Sequence, residues 1–149
     1  MLITRTHSVA ETEAAGETFA RTVQAGWVIG LSGDLGAGKT AFVRGFARGM
    51  GFAGRVHSPT FALLNEYDGG RLRLFHLDLY RLNSADDVRG AGLEEYLTQP
   101  DGVSVVEWIE RWAGEASATE GTGPGALRRI YLRSVDENTR EIGYDCAGA

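Results

Sequence analysis

The sequence predicts one α/β domain, with a central, mostly parallel sheet flanked by helices and extended by β-hairpins. Three observations carry this expectation. A short apolar run, WVIGLS at 27–32, leads at once into a glycine-rich loop and then into residues that recur at helical spacing. A second apolar run, VSVV at 103–106, ends in Glu107 and reads as another buried strand. Between them, RLRLFHLDLYRL alternates at the two-residue period of a strand, directly after the turn sequence DGG. The chain's 149 residues suit a single domain with its own core, and no internal repeat divides them.

Each element has a local reason. Ser8 and Glu11 stand at the spacing of a capping box, and Ala15, Phe19 and Val23 follow on one helical face, with Gly26 as the expected stop. After the glycine loop, Phe42, Val43, Phe46 and Met50 repeat at three- and four-residue intervals until Gly49 and Gly51. FALLNEY at 61–67 and the arm at 71–82 read as a hairpin turning at Asp68-Gly69-Gly70. That reading puts Leu72, Leu74, His76, Asp78 and Tyr80 on one strand face. Asn83-Ser84 is expected to cap a helix covering Val88, Leu93 and Leu97. Trp108, Ile109 and Trp112 continue at helical spacing, residues 114–126 read as a flexible loop, and LRRIYLRSV-DENT-REIGYDC reads as a closing hairpin.

Composition excludes several classes. A hydrophobic fraction of 43% and a charged fraction of 23% belong to a soluble globular protein, and no apolar run nears the roughly 20 residues that cross a bilayer. The first residues lack the basic start and apolar stretch of a secretory signal, and Cys146 is the only cysteine. An internal disulfide and a cysteine-based zinc site are therefore excluded, and a cytoplasmic protein is expected. A net charge of −5 argues against a broad nucleic-acid platform, leaving Arg44, Arg48 and Arg55 as either a local patch or a solvated surface.

The loop GDLGAGKT at 33–40 fits G-x-x-x-x-G-K-[ST], and its lysine is the only one among 15 basic residues. With 21 glycines and one lysine in the chain, composition alone expects roughly 0.002 such matches. Glycines allow successive amides to converge on phosphate oxygens, and the following helix adds its positive end. The compact ammonium of lysine fits between phosphates where the broad fork of arginine does not, and the threonine hydroxyl suits Mg²⁺. The fold expected is therefore a single P-loop NTPase-like domain. Carboxylates should complete it. Glu107, at the end of an apolar strand, stands where a Walker-B-type acid belongs, or else is a surface glutamate opening a helix. Asp78, with His76 and Tyr80, fits either a site or a solvated hairpin face. Ser58-Pro59-Thr60 fits either a turn or a switch loop whose hydroxyl meets Mg²⁺ and the γ-phosphate.

Taken together, GDLGAGKT at 33–40, VHSPTF at 56–61, HLDLYRL at 76–82 and VVEW at 105–108 resemble the TsaE (YjeE) family, bacterial ATPases of tRNA threonylcarbamoyladenosine synthesis. The resemblance implies that Leu35, Gly36, Ala37, Gly38, Lys39 and Thr40 bind ATP or ADP. It implies further that Thr40, Glu107 and Asp78 serve Mg²⁺ and the attacking water, with Thr60 in the switch motif. Trp108 would lie near the nucleotide, and Ser8, Val9 and Arg140 match nucleotide-contact positions. One departure is Ala41, where the family often has a second threonine. The implied partners are TsaB and TsaD, with tRNA reached through that complex and hydrolysis resetting it. The mechanism expected is in-line attack of water on the γ-phosphate, with Lys39, Asp78, Glu107 and Thr60 as the catalytic set. A small-molecule kinase and a non-hydrolysing assembly module on the same loop remain the rival readings.

Overall fold

The computed structural model describes residues 2–34, 36–54, 56, 63–113 and 127–145. In chain order these form β1 (Leu2–Thr6), α1 (Val9–Ala20), β2 (Val28–Ser32), α2 (Lys39–Gly49), β3 (Leu64–Tyr67) and β4 (Leu74–Asp78). There follow α3 (Ala85–Gly90), α4 (Glu94–Thr98), β5 (Val103–Glu107), α5 (Glu110–Ala113), β6 (Leu127–Ser134) and β7 (Arg140–Asp145). The strands make one sheet in the order β1-β7-β6-β2-β5-β4-β3. The four middle strands pair in parallel, whereas β3 and β7 join antiparallel hairpins and β1 adds antiparallel to β7. The sheet is thus parallel where both faces are covered and antiparallel towards its edges.

Two cores lie on opposite faces. On one, Phe19 of α1 and Phe42, Val43 and Phe46 of α2 pack on Ile29, Leu31, Val105 and Ile130. On the other, Val88, Leu93, Leu97 and Ile109 cover Val28, Phe75, Leu77 and Val106. Helices α1 and α2 approach closely enough that a Cβ on Gly16, Gly45 or Gly49 would strike the other helix's backbone. Over that seam Arg44 and Arg48 pair with Glu13 and Glu17 at 3.0–3.1 Å, which accounts for two of the three suspected patch arginines as paired surface charge. Arg55 lies outside the described residues.

Several boundaries differ from the sequence expectation. Helix α1 stops at Ala20 rather than Gly26, because Arg21 and Thr22 bond back three residues to Thr18 and Phe19 and tighten the last turn. Val23 stays buried but outside the helix, and Gly26 turns the chain into β2, its amide bonded to Gly102 O at 2.7 Å. The arm expected over 71–82 is a strand only from Leu74 to Asp78. Arg71 is drawn away by Met50, Ala20 and Val23 carbonyls, and the Asp78 carboxylate accepts the Tyr80 amide at 3.0 Å, which turns the chain out of the sheet. Tyr80 therefore leaves the face it was expected to share with His76 and Asp78. The described part of the first arm begins at Leu63, so Phe61 and Ala62 lie outside it, as do Ser58, Pro59, Thr60 and residues 114–126. The helix after Ser84 is two short ones, separated around Gly92, whose φ of 79° breaks the helical path. The caps at Ser8 and Ser84 form as expected, each hydroxyl accepting an amide three residues on. Strand β1 was not legible: four of its five residues are exposed, so LITRT shows no buried period. It is held by pairing with β7 and by the buried Thr6 hydroxyl, bonded to Thr12 of α1 at 2.7 Å.

Candidate active site

The glycine loop leaves the carboxyl end of β2, which lies between β5 and β6 at the centre of the sheet. Gly38, with φ 102°, adopts a left-handed conformation that L side chains rarely take, and it opens α2. The first helical bond runs from the Phe42 amide to the Gly38 carbonyl at 2.9 Å. As first-turn residues, Lys39, Thr40 and Ala41 have amides without intrahelical acceptors, and the positive end of the helix dipole is at this point. Ala37 does not line the site. Its methyl is buried in the core, and its amide is bonded to Asp34 O at 3.0 Å. Leu35 lies outside the described residues.

Parallel pairing of β4 with β5 sets Asp78 opposite Glu107 at the ends of both strands. They, Lys39 and Thr40 line one cavity of about 470 Å³. Its other walls include Ser8, Val9 and Thr12 from α1, Tyr80 and Trp108, and the β6–β7 turn with Glu137, Asn138 and Arg140. Three charged groups sit almost out of water here: Lys39 is 7% exposed, Asp78 8% and Glu107 6%. Glu107 is therefore a buried strand-end acid and not a surface helix opener, and Asp78 is not on a solvated hairpin face.

Lys39 Nζ donates to Gly33 O at 2.6 Å and lies 4.8 Å from the centre of the Trp108 ring. Among the described residues no carboxylate forms an ion pair with it. Trp108 has a φ of 60°, a strained conformation for so large a side chain, costing on the order of 1–3 kcal/mol. The turn carries the chain from β5 into α5 and sets the indole against Tyr80, ring centres 5.0 Å apart. Arg140 holds the neighbouring hairpin turn, its Nη1 donating to Asp136 O at 2.8 Å and Thr139 O at 3.1 Å. Its stem reaches Gly38, at 3.8 Å from where a Cβ would stand, so the loop and β7 converge.

Burial raises the Asp78 carboxyl above its ordinary range, opposed by the Tyr80 amide; the Glu107 charge raises it further, and His76 and Lys39 lower it. Because folding favours the protonated form, this group's stability contribution falls as pH rises through the carboxylate range. Asp78→Asn keeps an acceptor for the Tyr80 amide and removes the buried charge. We expect it to unfold at a higher temperature than wild type at pH 7. The gap should narrow as pH falls through the raised carboxyl range and be gone below about 3.9, the ordinary aspartate value. Thermal unfolding followed by circular dichroism across that range checks this. A lower melting temperature at pH 7 would mean that the carboxylate's hydrogen bond outweighs its burial.

Among the described residues no three His, Cys, Asp or Glu side chains gather into a metal cluster. The donor set is the Thr40 hydroxyl with the carboxylates of Glu107 and Asp78, all hard oxygen ligands. That set fits Mg²⁺, which typically takes one or two carboxylates and completes its shell with phosphate oxygens and water. Sequence reasoning missed Thr12, Glu137 and Asn138. Thr12 lies one turn beyond the capping serine, a signal that was present. Glu137 and Asn138 read only as a turn, because the register that carries them to the loop is tertiary.

A family model described as threonylcarbamoyl adenosine biosynthesis protein TsaE matches residues 6–142. The chain is 38% identical over 144 residues to the tRNA threonylcarbamoyladenosine biosynthesis protein TsaE of Bacillus subtilis (strain 168), covering 97% of this chain and 85% of that one. It is 41% identical over 135 residues to the protein of the same name from Treponema pallidum (strain Nichols), covering 91% and 93%. The crystal structure of YdiB from Bacillus subtilis superposes with a TM-score of 0.76 at 35% identity, over 99% of this chain and 86% of that one. Among the described residues no helix is long and apolar enough to cross a membrane.

Proposed function

The chain belongs to the TsaE family of tRNA threonylcarbamoyladenosine biosynthesis, and from that membership and its central cavity we propose that it binds and hydrolyses ATP with Mg²⁺. The observation that carries this reading is the meeting of Lys39 with two strand-end carboxylates in one cavity at the amino end of α2. The amides of Lys39, Thr40 and Ala41 receive phosphate oxygens. The Lys39 ammonium leaves Gly33 O and the Trp108 face for the terminal phosphates, which offer it the counter-charge that those groups lack. Thr40 and Glu107 hold the metal. When bound, Mg²⁺ neutralises charge on the phosphate oxygens. Asp78, made more basic by burial, orients the attacking water and accepts its proton. Trp108 and Tyr80 pack together beside the Asp78–Glu107 pair, and Ser8, Val9 and Arg140 line the same cavity.

The physiological setting we propose is a complex with TsaB and TsaD homologues, in which hydrolysis resets the assembly after threonylcarbamoyl transfer to tRNA. The test is phosphate release from Mg²⁺–ATP by the chain alone and with both partners and tRNA. Release should be slow alone and rise on adding the partners. No release in the full mixture, with ATP and ADP still changing partner affinity, would replace hydrolysis by a nucleotide-dependent assembly role.

A further inference from the structure

We propose that His76 is a positioning residue that holds the Glu107 carboxylate from beneath, leaving one of its oxygens for the cation. The inference rests on the ATPase reading above. His76 is 1% exposed and does not line the cavity, so it touches neither nucleotide nor metal there. Strand register places it opposite Val105, one step below the Asp78–Glu107 pair on the same sheet face. From that position its Nε2 lies 2.7 Å from Glu107 Oε2. Among the described residues, no other side-chain hydrogen bond to Glu107 is present, and His76 Nδ1 has no partner.

The arrangement is that of a strand-end acid held on one oxygen from the core side. A long, flexible glutamate at the end of β5 would otherwise sample several rotamers, each placing its oxygens differently. A neutral imidazole with its proton on Nε2 suffices to donate this bond, so the role needs no change of charge. Outer partners of this kind commonly contribute ten- to hundredfold to metal affinity or turnover. A purely structural role would instead make His76 a polar filler between Leu74 and the cavity, its effect confined to stability.

His76→Leu removes the donor at similar volume, and His76→Met does so with a more adaptable chain should the first fail to fold. His76→Gln retains an N–H donor. Each is measured in the full chain for ATP affinity in EDTA, for the tightening that Mg²⁺ brings, and for kcat and KM with the partners. We expect affinity in EDTA to stay within about threefold of wild type in every variant, since no phosphate contact is lost. The Mg²⁺-linked tightening should fall about tenfold or more in the donor-less variants, with kcat down about 10–100-fold and KM little changed. His76→Gln should recover most of both. Wild-type Mg²⁺ linkage in a folded donor-less variant would overturn the proposal, as would equal loss in His76→Gln. Wild-type protein that binds no ATP, or gains nothing from Mg²⁺, overturns the ATPase reading itself and is distinguishable before any variant is made.

Discussion

Lys39→Ala is expected to abolish nucleotide-dependent chemistry while leaving the fold intact. ATP affinity should fall about 100-fold or more, as charge-assisted contacts to two phosphates are lost, and partner-stimulated phosphate release should fall to background. The free protein should not be weakened, for a specific reason. Lys39 is 7% exposed, and its ammonium contacts here are one carbonyl and the face of an indole, with no carboxylate ion pair among the described residues. Burying a cation without a direct ion pair costs stability, a cost that the charge of nearby Asp78 offsets in part. Removing the ammonium should hold the melting temperature or raise it. Calorimetric titration with ATP and a thermal melt of the same sample separate the two effects. Retained affinity and turnover would sink the phosphate-loop reading, and a much lower melting temperature would mean that the lysine's contacts hold the loop together.

Gly45→Ala is expected to destabilise by about 2–3 kcal/mol, lowering the melting temperature by roughly 5–10 °C. Alanine is the better helix former by nearly 1 kcal/mol, so propensity alone predicts the opposite sign. Packing decides the sign. A Cβ at Gly45 would meet the Glu13 backbone of α1, and no rotamer change moves a backbone atom aside. The two helices would have to part, loosening Phe19 from Phe42 and Phe46. They would also shift Ser8, Val9 and Thr12 at the cavity wall, so nucleotide affinity should weaken as well. Gly90 supplies the control. It is helical, and nothing stands within 4 Å of the place a Cβ would take, so Gly90→Ala should be neutral or stabilise by a few tenths of a kcal/mol. Equal effects at the two sites would remove the close-packed seam from the account of stability.

The glycine loop at 33–40 was legible because its conformation is local. Glycine at 38 selects the left-handed turn, the residues after it form the helix, and both signals lie within a dozen positions. Strands β2 and β5 were legible as apolar runs, and the caps at Ser8 and Ser84 as spacings. Glu107 and Asp78 were legible as candidates but not as neighbours. The same residues suited a solvated surface until the β4–β5 register placed them opposite each other and buried them. Nothing local points from His76 to Glu107, which lies 31 positions away, nor from the β6–β7 turn to a loop about a hundred residues earlier.

By itself, then, the sequence determined the α/β class, the glycine loop with its single lysine and its threonine, and the candidate acids at the strand ends. Tertiary structure alone decided which acids share the cavity, how deeply they are buried, which side chain holds Glu107, and that α1 and the last hairpin form the remaining walls. The physical reason is the range of the forces concerned. Backbone conformation answers to adjacent residues, whereas strand order, register and desolvation arise only when segments far apart in the chain exclude water between them.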